Sequence, residues 1–257
     1  MPPTKVIAMA HLKTGIKEFN EIVPGLPTPS AILVQGKPGA GKTIFSLSLM
    51  DTKAKPVESK PEKAKEKPKD KGKEEAKDKP EPEELKPVKA HGAPKKIIVL
   101  TNNTPAEIDE EMTSLKIGFE AMPIDCYSWL SGGKAAVDSL ANLSKITFLI
   151  EDALEPGSIV LFDSLTPLML YSSDEEIQRF MQQLVAIAKA KQSIILFTMD
   201  LGTYPSDAES TFRSLCDGVI HLDAEKGMRI LKMRDTPVPA KDFFYELGDK
   251  GLRLRSK

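Results

Sequence analysis

The chain has few of the residues from which disulfide scaffolds, metal clusters and membrane spans are built. Its two cysteines, Cys126 and Cys216, stand far apart in sequence. In a chain expected in the cytoplasm they read as reduced core thiols, not as a bridge or a redox pair. The three histidines, His11, His91 and His221, make no ligand spacing with them, so a structural zinc site is not expected. No stretch of about 18 apolar residues occurs, which excludes a membrane-spanning helix. The opening MPPTKVIAMAHLKTG lacks the apolar core of a signal peptide, and a cytoplasmic location is the expectation. Charge of one sign is also missing, since 36 basic residues face 37 acidic ones. What remains is a length of 257 residues, compatible with one or two domains, and a hydrophobic content of 40%, enough for a core.

Against that background one segment stands out. Residues 36–43 read GKPGAGKT and fill every fixed position of the G-x-x-x-x-G-K-[ST] phosphate loop. Gly36, Gly39 and Gly41 allow a tight turn whose N–H groups point inward, a nest for anionic oxygens. Lys37, Pro38 and Ala40 complete the loop. Lys42 can reach β and γ phosphates, and Thr43 can offer a hydroxyl to Mg²⁺. The helix opening at Thr43 and Ile44 directs its positive end at the phosphates. The context fits: Ala31–Val34 is a short apolar run that reads as a buried strand, and residues 44–50 continue as a helix. The pattern implies a nucleoside triphosphate, with ATP and Mg²⁺ as the expected ligands.

Residues 51–96 break this pattern. They contain 15 Lys, no Arg, 11 acidic residues and seven Pro, with almost no large aliphatics and no aromatics. Such a segment cannot bury enough apolar area to offset its ordering entropy and is expected to be a disordered insertion. A surface connection tolerates it, because loop-closure cost grows slowly with length. Two readings stand, a neutral insertion or a docking arm for an acidic protein partner or anionic surface. The remainder, residues 1–50 and 97–257, reads as a single domain. It holds 21 basic and 26 acidic residues, which disfavours a broad nucleic-acid surface.

The rest alternates apolar strand runs with helical patterns, the signature of an α/β fold with a mainly parallel twisted sheet flanked by helices. Strands are expected at residues 97–100, 158–162, 193–197, 218–222 and 228–234. A helix is expected over 135–154. The run Ser158–Phe162 delivers Asp163 to its end, where a carboxylate can hold Mg²⁺ beside Thr43. In SSDEEIQRFMQQLVAIAKAKQ, Ser173 or Asp174 can cap a helix whose Ile177, Phe180, Met181, Leu184 and Ile187 face the core. Thr198 ends the next strand and is either a γ-phosphate sensor or an ordinary strand-end residue. His221, in an alternating strand, reads as packed or surface.

The stretch LKTGIKEFNEIVPGLPTPSAILVQGKPGAGKT resembles the opening of KaiC-like ATPases of the RecA superfamily, archaeal members such as the archaellum protein FlaH included. Thr14-Gly15-Ile16 and Asn20-Glu21 fit that family's lead-in to the loop, and Gly25 stands where the family usually has a glycine pair. DSLTPL after Asp163 and the ending RILKMRDTPVPAKDFFYELGDKGLRL are similar to its later motifs. The resemblance implies a RecA-like fold, ATP binding with Mg²⁺, and a homo-oligomer, a six-membered ring among the family's forms. It also implies that Lys232 and Arg234 of the L-K-M-R motif reach the γ-phosphate of a neighbouring subunit. One departure matters. Where the family's F-E-E-S-P-E-E-I carries an acidic pair that activates water, this chain reads T-N-N-T-P-A-E-I, with Asn102 and Asn103 in the acidic positions. An amide can orient water but cannot accept its proton. The expectation is a nucleotide-dependent switch or assembly factor with weak or absent hydrolysis. The alternatives are an active ATPase whose base comes from elsewhere, and a recombinase-like DNA-binding ATPase. Glu107, Glu110 and Glu111 read as a solvated helix face.

Overall fold

The structure, a computed structural model, describes residues 10–52, 93–248 and 251–256. Most of the insertion read over 51–96 lies outside the described residues. Its last residue, Lys96, is already part of a strand. In chain order the elements are β1 (Ala10–Leu12), α1 (Lys17–Ile22), β2 (Leu26–Thr28), β3 (Ser30–Gly36), α2 (Lys42–Met50), β4 (Lys96–Leu100) and α3 (Pro105–Ser114). There follow β5 (Met122–Asp125), α4 (Leu143–Ala153), β6 (Ile159–Asp163), α5 (Asp174–Ala190), β7 (Ile194–Asp200), α6 (Ser206–Leu215), β8 (Gly218–Leu222), β9 (Gly227–Met233), β10 (Phe243–Gly248) and β11 (Gly251–Ser256).

Nine of the strands form one sheet in the order β11-β10-β9-β8-β3-β7-β6-β4-β5. The pairs from β8 to β5 are parallel, and β9, β10 and β11 extend the sheet by antiparallel pairing. β1 and β2 pair antiparallel in a separate two-stranded sheet. The central strand β3 is buried along its whole length, as a parallel strand covered on both faces must be. Its side chains alternate between two cores. Ile32 and Val34 join the apolar residues of α1, α2 and α3, among them Phe19, Phe45, Ile108 and Met112. Ala31 and Leu33 join those of α4, α5 and α6, among them Ile150, Phe180 and Phe212. Helices therefore cover both faces of the parallel part. β9 to β11 add side chains to the first core only, and Leu231 and Phe244 are exposed on the other side.

Two sequence expectations shift. The helix read over 135–154 begins only at Leu143, where the Asn142 side chain accepts a hydrogen bond from Lys145 N–H as its cap. Val137 and Leu140 reach the core from irregular backbone before that cap, so their apolar character marked burial, not helix. The capping of α5 settles on Ser173, which exchanges hydrogen bonds with Glu176 in a capping box.

Candidate phosphate-binding site

The loop between β3 and α2 is shaped from beneath by other strands. At Gly36 an added Cβ would meet the Leu222 carbonyl oxygen of β8 at 2.2 Å, so any side chain there would push the two strands apart. At Gly41, which caps α2, φ is +72°, a left-handed conformation that other residues adopt only with strain. The Tyr245 hydroxyl of β10 donates a hydrogen bond to the Ala40 carbonyl. Its ring packs edge-on against Phe45 of α2, with centroids 6.1 Å apart. Burial pushes the Tyr245 phenol up, so it stays a hydrogen-bond donor. Ile44 is half-buried on α2, while Lys37, Pro38 and Gly39 lie exposed at the loop's outer rim.

Lys42 reaches back over the loop. Its ammonium donates to the Lys37 carbonyl at 3.0 Å and to Asp200 Oδ1 at 2.5 Å. Asp200 ends β7, the neighbour of β3, and was not among the residues picked out by sequence. Asp163 ends β6 and is almost fully buried. Thr43 donates to its Oδ2 at 2.9 Å, and Thr198 donates to its Oδ1 at 2.5 Å. Burial raises the Asp163 pKa, partly offset by these two hydroxyls and by Lys42. Thr198 is fully buried, so its hydroxyl acts on the carboxylate and not on an open cavity.

This donor set fits Mg²⁺. One buried carboxylate and one hydroxyl are hard oxygen donors that point at each other across the loop's mouth. Mg²⁺ is commonly held by one or two protein oxygens plus water and phosphate. Among the described residues no group of three or more His, Cys, Asp or Glu could hold a metal alone, so the remaining positions would fall to nucleotide and water.

The tip of β4 is tied to the backbone at the end of β6. Thr101 N–H donates to the Asp163 carbonyl, and Thr101 exchanges side-chain hydrogen bonds with Ser164. Asn102 Nδ2 then donates to Ser164 Oγ at 3.1 Å. Asn102 is thus held one residue from Asp163 and is exposed, while Asn103 next to it is half-exposed. Glu107 points away, since its carboxylate accepts from Thr104 N–H and Oγ1 and completes the capping box of α3. These bonds hold its pKa below the usual range. Glu111 departs from the solvated face expected for it. It is half-buried, and burial together with the charge of Asp163 raises its pKa.

Lys232 and Arg234 are not brought to the loop of their own chain. Lys232 Nζ donates to the Cys216 carbonyl. Arg234 pairs with Asp217 at 2.7 Å and donates to the Pro29 carbonyl. These partners flank the start of β3, and the loop leaves its far end, about 20 Å away for a strand of this length. Cys126 and Cys216 are buried free thiols, both with pKa pushed up to about 12 by burial. His221 is half-buried, and burial lowers its pKa.

Of the residues that sequence reasoning missed, Asp200 had a signal: continuing the alternation of β7 two residues past Thr198 reaches it. Tyr245 had none, because its contact with Ala40 crosses 205 positions.

No curated protein matches the chain. Among solved structures, the fold is similar to that of a KaiC-like protein from the hyperthermophilic archaeon Pyrococcus horikoshii OT3. The TM-score is 0.62 at 20% identity, covering 96% of this chain and 100% of that one. The family description "ATPase: KaiC" matches residues 12–59 and 94–257, on both sides of the Lys-rich segment. The chain belongs to the KaiC ATPase family.

Proposed function

We propose that this chain is an ATP-dependent switch or assembly factor that binds ATP with Mg²⁺ and hydrolyses it slowly or not at all. Lys42 and the loop N–H groups would hold the phosphates, and Thr43 and Asp163 the metal. The cation would neutralise phosphate charge and the buried carboxylate together. The observation that carries the reading is the asparagine pair beside Asp163, where an amide can position water but take no proton. A missing positioned base costs roughly 10²–10⁴ in rate, while positioning and charge stabilisation persist.

Lys232 and Arg234 lie away from the loop of their own chain, which supports a homo-oligomer, a six-membered ring, in which they reach ATP on a neighbouring copy. Binding would then drive assembly by mass action. Sizing the full chain by light scattering with and without ATP–Mg²⁺ tests this. Larger particles with nucleotide are expected, and an unchanged mass at saturating ATP would overturn it. A second reading, an active ATPase, rests on Glu111 and its charge coupling to Asp163. Phosphate release that disappears in Glu111→Gln would favour it. The role of the Lys-rich segment as a docking arm belongs to the same proposal, and its deletion should leave ATP binding intact.

A further inference from the structure

The Lys42 ammonium, which the phosphate-loop reading assigns to the phosphates of a nucleotide, is paired with Asp200. Lys42 is 9% exposed and Asp200 20%, so the pair is only partly screened by water. The backbone around Asp200 is fixed on three sides. Its own N–H donates to Thr166 Oγ1 at 2.9 Å, Leu201 N–H donates to the Gly36 carbonyl at 3.0 Å, and Gly202 N–H donates to Glu209 Oε1 at 2.7 Å. Only the carboxylate is free to swing. The nearby carboxylate of Asp163 already accepts the hydroxyls of Thr43 and Thr198, one on each oxygen. Lys42 therefore makes its direct ion pair with Asp200, while its charge also acts on Asp163 without direct contact.

We propose that Asp200 is a resident counter-ion that parks Lys42 across the mouth of the loop and must be displaced by an incoming polyphosphate. This deepens the nucleotide-binding reading and rests on it. Two consequences follow from charge alone. A phosphate group and the Asp200 carboxylate compete for the same cation, so the pair lowers apparent affinity by the fraction of time Lys42 is held. Pairing for about nine-tenths of the time lowers it about tenfold. The opposition also grows with ligand charge, because a triphosphate brings more negative charge to the same cation than a diphosphate does. Asp200 is thus a specificity-determining residue: a ligand that fails to move it is held weakly.

The test is calorimetric titration of the full chain with Mg²⁺ and either ADP or a non-hydrolysable ATP analogue, comparing wild type with Asp200→Asn and Asp200→Ser. The neutral variants should bind the triphosphate roughly tenfold more tightly, and the diphosphate with a smaller gain. A role for Asp200 in holding metal or merely supporting the fold would move affinity the other way. Equal or weaker triphosphate binding in both variants therefore overturns the proposal. Binding by the variants alone would support it in its strongest form. Absence of binding in all three proteins would overturn the nucleotide reading and this proposal together.

Discussion

Burial raises the pKa of Asp163, and the hydroxyls of Thr43 and Thr198 with the Lys42 ammonium offset it only in part. A carboxylate whose folded-state pKa lies above its unfolded value of about 4 binds its proton more tightly in the folded chain. Its contribution to stability therefore falls as pH rises from that unfolded value to the folded one. Asp163→Asn removes the term. In urea melts of nucleotide-free protein at a series of pH values, the stability of the variant relative to wild type should rise through this window and then level off. A difference that does not change with pH would contradict the assignment. The same variant should lose the Mg²⁺ dependence of nucleotide binding. Glu107 gives the opposite case. Its carboxylate is committed to the helix cap, so Glu107→Gln should leave phosphate release unchanged, while Thr104→Ala should cost about 1 kcal/mol in a thermal melt.

At the scale of elements, the loop depends on packing from a distant strand. Phe45 of α2 sits edge-on between Phe19 of α1 and Tyr245 of β10, and the Tyr245 hydroxyl holds the Ala40 carbonyl. Tyr245→Phe keeps the ring and removes that bond, at a cost of about 1 kcal/mol. Nucleotide affinity measured by calorimetry should weaken several-fold, and the melting temperature should fall by roughly 2–4 °C. The same contact shows where the sequence was readable. The loop, the strands carrying Asp163 and Thr198, and the asparagine pair lie next to local signals, namely apolar runs ending in polar residues and glycines at fixed spacing. β10 and β11 flank a Gly-Asp-Lys-Gly turn signal, but their place beneath the loop comes from long-range pairing. The boundary of α4 was misplaced because residues 135–142 are apolar enough to continue a helical pattern, yet pack from a loop ahead of the Asn142 cap. Glu111 was misjudged for a related reason. Its neighbours on α3 are exposed acids, and only the packing of that helix brings it within reach of the Asp163 charge.

For the molecule as a whole, the sheet separates two ends. The loop, Asp163 and the asparagine pair lie where the parallel strands finish, whereas Arg234 and Lys232 lie beside the start of β3. Asp217 ties that lower end together, accepting from Ala31 N–H, Lys189 and Arg234. Asp217→Asn should destabilise the monomer by about 1–2 kcal/mol in a urea melt, because two cations lose their shared partner. Lys232→Ala removes one hydrogen bond to a carbonyl and should leave the monomer's stability nearly unchanged. If the neighbouring-copy contact operates, it should still abolish ATP-induced assembly in sizing experiments. The most direct measurement concerns what happens to the nucleotide once bound. Single-turnover phosphate release with Mg²⁺ should be followed on the wild-type chain and on Asn103→Glu, each loaded to the same occupancy with ATP. The wild type is predicted to keep its triphosphate, and Asn103→Glu to release phosphate faster by roughly 10²-fold or more. Wild-type release on the order of 1–10³ s⁻¹, the range of ordinary enzymes, would contradict a site that binds ATP but cannot activate water.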